Sequence, residues 1–471
     1  MPKASRLCLS SAWQALSKQK STANKRCFRR GPPDNYTLLT IAEPTRNAHG
    51  SASGLSALPN AALLRSLFIN GVSSRPWALS PAISLLVKSC QPKPAFLFNI
   101  AKNPVLAWLL KETVYKQFCA GEAPSEIKST MRAMKDMGFK GTILTYAKET
   151  VYDHKNKEEF GLGMNMIPTK GASSTECPYI TSWKQGTLDT VKLLGEEDQL
   201  AVKITGAGPR VTCALADNSQ PPQQFLDAVD EIVRDCKARG AKILIDAESQ
   251  RFQAGTLRIG LDLMRKYNRD GYAVVYNTYQ AYLKSTPTSL TCHLASALDD
   301  SFTLGLKVVR GAYLATDERS LIHDTKEETD EAYDSIAAGA LQQQLLGFGG
   351  DEDRPFPSVN LLLATHNKHS AKKAQKLYRQ RKMQRLPTVP VSFAQLHGMS
   401  DQVSFGLLAL NKSDDAGISV YKCSTWGTMA ECIGYLSRRV LENRDAASRT
   451  TDEYKALKTE LWRRLRMGVW I

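Results

Sequence analysis

The chain has 471 residues, 42% apolar and 23% charged. It is longer than one ordinary domain, fits a single α/β barrel with extensions, and excludes global disorder, collagen-like and disulfide-scaffold classes. Half of the net charge of +16 lies in the first 33 residues, where Lys3, Arg6, Lys18, Lys20, Lys25, Arg26, Arg29 and Arg30 precede the first acid, Asp34. A Ser-rich, acid-free start with spaced apolar residues (Leu7, Leu9, Trp13, Leu16) is expected to be a mitochondrial transit peptide over 1–33. Residues 34–95, rich in Ser, Ala and Pro, read as a partly disordered linker followed by helical pieces. Residues 96–138 read as a helical arm: apolar positions recur at helical spacing from Pro104 to Lys135, split by Gly121 and Pro124.

Eight short apolar, β-branched runs follow, most of them succeeded by a helical pattern. They are Thr142–Thr145, Leu200–Thr205, Ile243–Asp246, Ala273–Asn277, Leu306–Val309, Asn360–Ala364, Val391–Leu396 and Ile418–Lys422. Strands alternating with helices pair in parallel, so residues 139–450 are expected to form a distorted (β/α)8 TIM barrel. An open doubly wound sheet lacks support, because no strand leads into a complete GxGxxG turn. Residues 151–190 and 347–358 read as overlong loops. Residues 451–471 are expected to form an amphipathic tail helix. Its Lys455, Lys458, Arg463, Arg464 and Arg466 among Leu457, Leu461, Trp462, Leu465, Val469 and Trp470 suit either a membrane surface or docking on the chain itself. No apolar run reaches the length of a membrane span; Ala95–Leu110 is interrupted by Lys102, Asn103 and Pro104. The ten cysteines include no CxxC pair, and neither a disulfide nor a metal site is expected.

A barrel works at the carboxyl ends of its strands, and these runs end in polar residues. Lys203 and Lys307 point into low dielectric and need a partner, for which Asp246 on a neighbouring strand is the candidate. The last helix, Thr428–Asn443, has an apolar stripe (Met429, Ile433, Leu436, Val440) and a polar one (Glu431, Tyr435, Arg438, Arg439, Glu442). Adjacent arginines make a fork suited to a carboxylate; on a surface helix the same stripe is only a solvated face.

The motifs, in order, are Val202-Lys203-Ile204-Thr205, Ile245-Asp246-Ala247-Glu248, Tyr276-Asn277-Thr278-Tyr279-Gln280, Lys307 to Tyr313, Ala364 to Asn367, Leu396-His397-Gly398-Met399, and Tyr435 to Arg439 through Glu442-Asn443. On these the chain resembles flavin-dependent proline dehydrogenases, specifically the eukaryotic mitochondrial enzymes, from about Lys140 to Asn443. The resemblance implies FAD at the strand ends and oxidation of L-proline to 1-pyrroline-5-carboxylate. It implies that Arg438 and Arg439 hold the substrate carboxylate, oriented by Glu442 and Glu149, with Lys203, Asp246, Leu396 and Tyr435 lining the pocket. Asn277, Lys307, Arg310, Gly311, Ala312, Thr365, His366 and Gln395 are then expected at the flavin, with Tyr313 bordering the site. Bacterial relatives carry Arg where this chain has Lys307, so that contact is expected to be single instead of forked. Electrons are expected to pass to membrane ubiquinone on the matrix side of the inner mitochondrial membrane.

One position departs from the family pattern. Cys423 stands where proline oxidisers present a Tyr against the ring, and Ser424-Thr425 stand where Val-Pro is usual. Tyr421 shares a strand face with Cys423 and is a candidate substitute; otherwise the pocket is roomier and open to hydroxyproline. A Schiff-base aldolase using Lys203 is a rival chemistry. Nucleic-acid binding is not expected, since no basic segment is interleaved with aromatics.

Overall fold

The computed structural model describes residues 54–89, 95–146, 150–153, 158–161, 176–314, 316–350, 354–413, 417–442 and 447–468, with main chain alone at 150–153, 158–161, 412–413, 438–442 and 447–449. The expected transit peptide lies outside the described residues. Eight strands close into a barrel: β1 Gly141–Tyr146, β2 Gln199–Val202, β3 Lys242–Ile245, β4 Val275–Gln280, β5 Leu304–Val309, β6 Val359–Ala364, β7 Val391–Leu396 and β8 Ser419–Trp426. Every neighbouring pair is parallel, and β1 closes the ring by pairing with both β8 and β2. The architecture is thus the eightfold α/β barrel that the alternating runs predicted.

Alternation along each strand sorts the side chains. Ile143, Ala201, Leu244, Tyr276, Leu362, Ala394 and Tyr421 form the interior layer. Leu200, Val202, Ile243, Ile245, Leu361 and Leu363 face the surrounding helices. Alanines at two of these positions, Ala201 and Ala394, make room for Tyr276 and Tyr421, because eight converging strands leave space for few bulky chains.

Two segments differ from the sequence reading. Residues 151–190 hold a two-stranded hairpin, Thr150–Asp153 with Glu158–Gly161, and a helix, Pro178–Val191. Gly186 and three threonines mask that helix's pattern, yet Gly186 is where the helix meets Tyr146, whose ring carbon would lie 2.7 Å from an added Cβ. The run read as Leu200–Thr205 ends at Val202, and residues Ile204–Ala207 form a 3-10 turn. Glu248 causes this break, since its carboxylate accepts from both the backbone N–H and the hydroxyl of Thr205.

The arm comprises helix Pro104–Leu110, a π-helical turn Lys111–Tyr115 ending at Phe118, and helix Pro124–Asp136. Asn103 caps the first through Leu106 N, and Pro104 follows it, where the missing N–H costs nothing. The link between them extends the end of β8: Ala120 N donates to Thr425 O and Tyr115 Oη to Gly427 O, both at 2.8 Å. Upstream lie helices Asn60–Ser73 and Pro76–Ser89.

The tail helix, Ala447–Met467, docks on the turn Gly54–Ala57 and on Asn60–Ser73. Arg464, 1% exposed, bonds Glu460, Asn60 and the carbonyls of Leu55, Ser56 and Leu58. Near its start, Glu453 accepts from Gln402 N at 3.0 Å beside the buried Lys422–Asp401 pair. Burial and the Asp401 charge push the Glu453 carboxyl up to about 7. A raised carboxyl stabilises the fold below its unfolded value of about 4.3 and loses that contribution as pH climbs through 7. Glu453→Gln is therefore expected to lessen the loss of thermal stability between pH 5 and pH 8; an identical pH dependence of melting in variant and wild type would contradict this.

Candidate active site

The carboxyl ends of β2, β3 and β5 bring three charges together. Lys203, Asp246 and Lys307 each follow the inward parity of their strands. Lys203 Nζ lies 2.9 Å from Asp246 Oδ2 and Lys307 Nζ 2.6 Å from Oδ1, so one carboxylate serves two ammoniums. The Asp246 side chain is 15% exposed. Burial alone would raise its carboxyl, but attraction and hydrogen bonds from both lysines outweigh that and hold it well below the usual carboxylate range. Asp246 is thus the partner that the strand pattern offers these lysines, and it serves both at once.

The triad is braced from behind. Trp183 Nε1 donates to Lys203 O at 3.0 Å, Asp246 N to Val202 O at 2.9 Å, and Thr278 Oγ1 to Ile245 O at 2.7 Å. Glu248 pins the turn after Lys203 and receives Gln280 Nε2 on its own carbonyl at 3.2 Å. Thr205, Glu248 and Gln280 stand in the strand-end motifs without an assigned role, and nothing in the sequence marks Trp183. The signal for Gln280 was available, because it shares the inward parity of Tyr276 and Thr278.

The rest of the inner rim comes from β1, β6, β7 and β8. Thr145 pairs in register with Thr425, and Cys423 with Leu396. His366 is held by Ser400 Oγ, 2.7 Å from Nδ1. Cys423 senses the charges of Asp246, Lys307 and Lys203, and burial, followed by Asp246, pushes its thiol up to about 11, so it is un-ionised at neutral pH.

Five expected site residues sit elsewhere. Tyr421 does face inward like Cys423, but two residues deeper, roughly 7 Å further down the strand; its phenol is turned to Gln199 and Ser419, the first residues of β2 and β8. It cannot close the mouth. Asn277 faces outward, donating to Leu257 O at 2.9 Å beneath Gly260, where an added Cβ would come within 1.7 Å of its Oδ1. Gln395 lies between the inward Ala394 and Leu396, and its amide is taken by Thr365 O and Ser404 Oγ. Thr365 also faces outward, accepting from Arg310 at 2.7 Å. The Arg310 guanidinium donates to Asp330, Thr365 and Ser370 over the Tyr333 ring. These side chains tie strands to helices instead of facing the mouth, because adjacent residues on a strand point to opposite sides.

Gly311 and Ala312 are exposed at the rim. Gly311 has φ +146 and leaves no room for a Cβ against Tyr282. Tyr313 is buried, with its carbonyl accepting from Asp317 N at 2.8 Å. The closing helix, Met429–Glu442, starts directly beyond β8; Thr428 and Glu431 cap it reciprocally. Tyr435 packs beside Tyr115 and Cys119 of the arm. The side chains of Arg438, Arg439 and Glu442, and residue Glu149, lie outside the described residues.

Two features of this mouth fit an acceptor-rich planar cofactor such as a flavin. Thr145 Oγ1 is buried without a hydrogen-bond partner, and Lys307 uses one of its three N–H donors on Asp246.

Comparison with known proteins adds three findings. The family profile described as proline dehydrogenase matches residues 127–452. Curated relatives include a probable mitochondrial proline dehydrogenase of Schizosaccharomyces pombe, 26% identical over 86% of this chain and 88% of its own length. They also include a hydroxyproline dehydrogenase of Bos taurus, 28% identical over 76% and 82%. Among solved structures, proline utilization A from Bdellovibrio bacteriovorus inactivated by N-propargylglycine superposes with a TM-score of 0.58 at 15% identity, over 84% of this chain. The present chain spans 40% of that longer protein, and the likeness is one of fold.

Proposed function

The chain belongs to the proline dehydrogenase family, an oxidoreductase family, and from that premise we propose that it oxidises L-proline to 1-pyrroline-5-carboxylate with FAD seated in the barrel mouth. The observation that carries this reading is the braced Lys203–Asp246–Lys307 cluster at the strand ends, beside the unpartnered Thr145 hydroxyl. FAD, when bound, supplies the acceptor for the hydride leaving the ring carbon next to nitrogen. Lys307 and Thr145 offer it single hydrogen bonds, and Lys203 and Asp246 form the charged floor beside the substrate. Arg438 and Arg439 bind the substrate carboxylate and Leu396 forms an apolar wall, so that the ring is held in one orientation. Asp246 is too weak a base to take the amine proton, so the substrate reacts as the free amine, its proton having been released to solvent water. Electrons then pass to ubiquinone in the inner mitochondrial membrane, met from the matrix side. The test is proline-dependent reduction of a soluble dye with 1-pyrroline-5-carboxylate as product; dye reduction without that product overturns the reading.

The Schiff-base alternative loses its footing here. An ammonium paired with a carboxylate held ionised is not the neutral amine that such chemistry needs. Borohydride trapping is expected to leave Lys203 unlabelled.

A hydroxyproline substrate is the second reading, favoured by Cys423: a small un-ionised thiol faces the mouth, and no phenol from β8 closes it. Cys423→Tyr is expected to lower kcat/KM for hydroxyproline relative to proline by roughly tenfold or more, because an aromatic ring fills the space beside the ring substituent. An unchanged ratio would separate Cys423 from specificity.

A further inference from the structure

The N-terminal helices carry an outer face that the barrel does not use. Their inner sides meet the closing helix in one cluster of Leu86, Leu106, Leu110 and Ile433. Their outer sides expose Leu64, Phe68, Trp77, Phe96, Val105 and Trp108; Trp77 is 77% exposed, Val105 73% and Trp108 64%. Single exposed apolar residues are ordinary, but large ones recurring across these three helices and the 3-10 turn Phe96–Phe98 between them are not. Charge singles out the occupant. No Asp or Glu occurs between Glu43 and Glu112, a stretch holding seven Lys or Arg residues. Lys88 lies 5.1 Å above the Phe98 ring, placing a cation among the aromatics, and Lys102 is exposed beside them. A second copy of this face, or the chain's own basic start, would bring like charge to like. An anionic bilayer surface brings the opposite charge and takes up the tryptophans. Among the described residues no helix is long and apolar enough to cross a membrane, and the helices here run 14, 14 and 7 residues, which suits lying on it. A groove of about 260 Å³ runs between these helices, through Phe68, Val72, Arg75 and Trp77, and Tyr454 of the tail helix.

We propose that the acid-free helices Asn60–Ser73, Pro76–Ser89 and Pro104–Leu110, and not the tail helix, form the face that docks the enzyme on an anionic lipid bilayer. This rests on the reading that reduced flavin hands its electrons to a membrane quinone. The tail commits Leu457, Glu460 and Arg464 to the turn Gly54–Ala57 and its surroundings and exposes Trp462, Leu465 and Met467 only along its last turns, whereas the N-terminal helices expose larger apolar side chains over several elements and pack on the closing helix.

The test is co-sedimentation of the full chain with phosphatidylcholine vesicles containing cardiolipin, alongside proline oxidation with a soluble dye. Trp77→Glu/Trp108→Glu is expected to weaken vesicle binding roughly tenfold or more, with dye-linked activity intact. Lys88→Gln/Lys102→Gln is expected to erase the preference for cardiolipin over phosphatidylcholine alone. Trp462→Glu on the tail is expected to leave binding unchanged. Equal binding by wild type and the tryptophan double variant, or loss of binding with Trp462→Glu instead, overturns the assignment of this face while leaving membrane docking in place. A wild-type chain that ignores both vesicles, or that self-associates through these residues, overturns docking itself, and the dye assay then reports separately whether proline oxidation stands.

Discussion

Arg439→Met is expected to lower kcat/KM for the amino-acid substrate by roughly a hundredfold or more, mostly through KM, while the flavin-to-protein ratio stays at the wild-type value. A guanidinium–carboxylate contact loses about 2–5 kcal/mol when one partner is truncated, and Arg438 alone then holds the carboxylate without the second fork. The variant should fold, because the closing helix is held by other means. Thr428 and Glu431 cap its start, and Cys432, Ile433, Tyr435 and Leu436 bury its inner side against the arm and the helix before it. Methionine keeps both the helix propensity and the length of the stem. Steady-state kinetics with flavin quantified by absorbance make the measurement, and unchanged kinetics would remove Arg439 from substrate binding.

Asp246→Asn carries the second large effect. The substitution leaves Lys203 and Lys307 facing one another in low dielectric with no shared anion. Breaking a buried pair in this way costs roughly 3–5 kcal/mol, and less to the extent that the 15% exposed carboxylate is screened by water. The expected result is a lower melting temperature, reduced flavin content and severe loss of turnover. Lys203→Met in the same background should recover part of the stability, since it removes one of the two stranded charges. The pH dependence has a definite sign. A carboxyl depressed in the fold contributes its full stability above the unfolded value of about 3.9, and that contribution disappears as pH falls below it. Wild type and Asp246→Asn should therefore differ most at neutral pH and converge in acid; a gap that persists unchanged at low pH would contradict the ion-cluster assignment.

The barrel was legible because parallel strands buried on both sides leave dense apolar runs, and eight of them with intervening helices admit few closures. The polar ends of those runs were legible as a group but not one by one. Gln395 and Lys307 look alike in sequence, as polar residues at strand ends, yet one faces helix Asp401–Ser413 and the other the mouth. Parity decides between them: Leu306 and Val308 pack outward, so Lys307 turns in, while Ala394 turns in and leaves Gln395 out. The same rule displaces Asn277 and Thr365. Tyr421 needed depth as well as parity, since two residues along a strand separate a mouth position from the barrel floor. Long-range braces left no local trace: nothing within a few residues of Trp183 or Glu248 reveals that they hold the chain around Lys203. The buried Lys422–Asp401 pair behind the β8 wall was invisible for the same reason.

The most direct measurement is the visible absorption spectrum of the purified chain, recorded anaerobically before and after addition of proline and then of hydroxyproline. A yellow protein whose flavin band bleaches on addition of either imino acid is the expected result, and the one that bleaches faster names the preferred substrate. A colourless protein, or a flavin band that neither compound bleaches, would contradict hydride transfer at the mouth of this barrel.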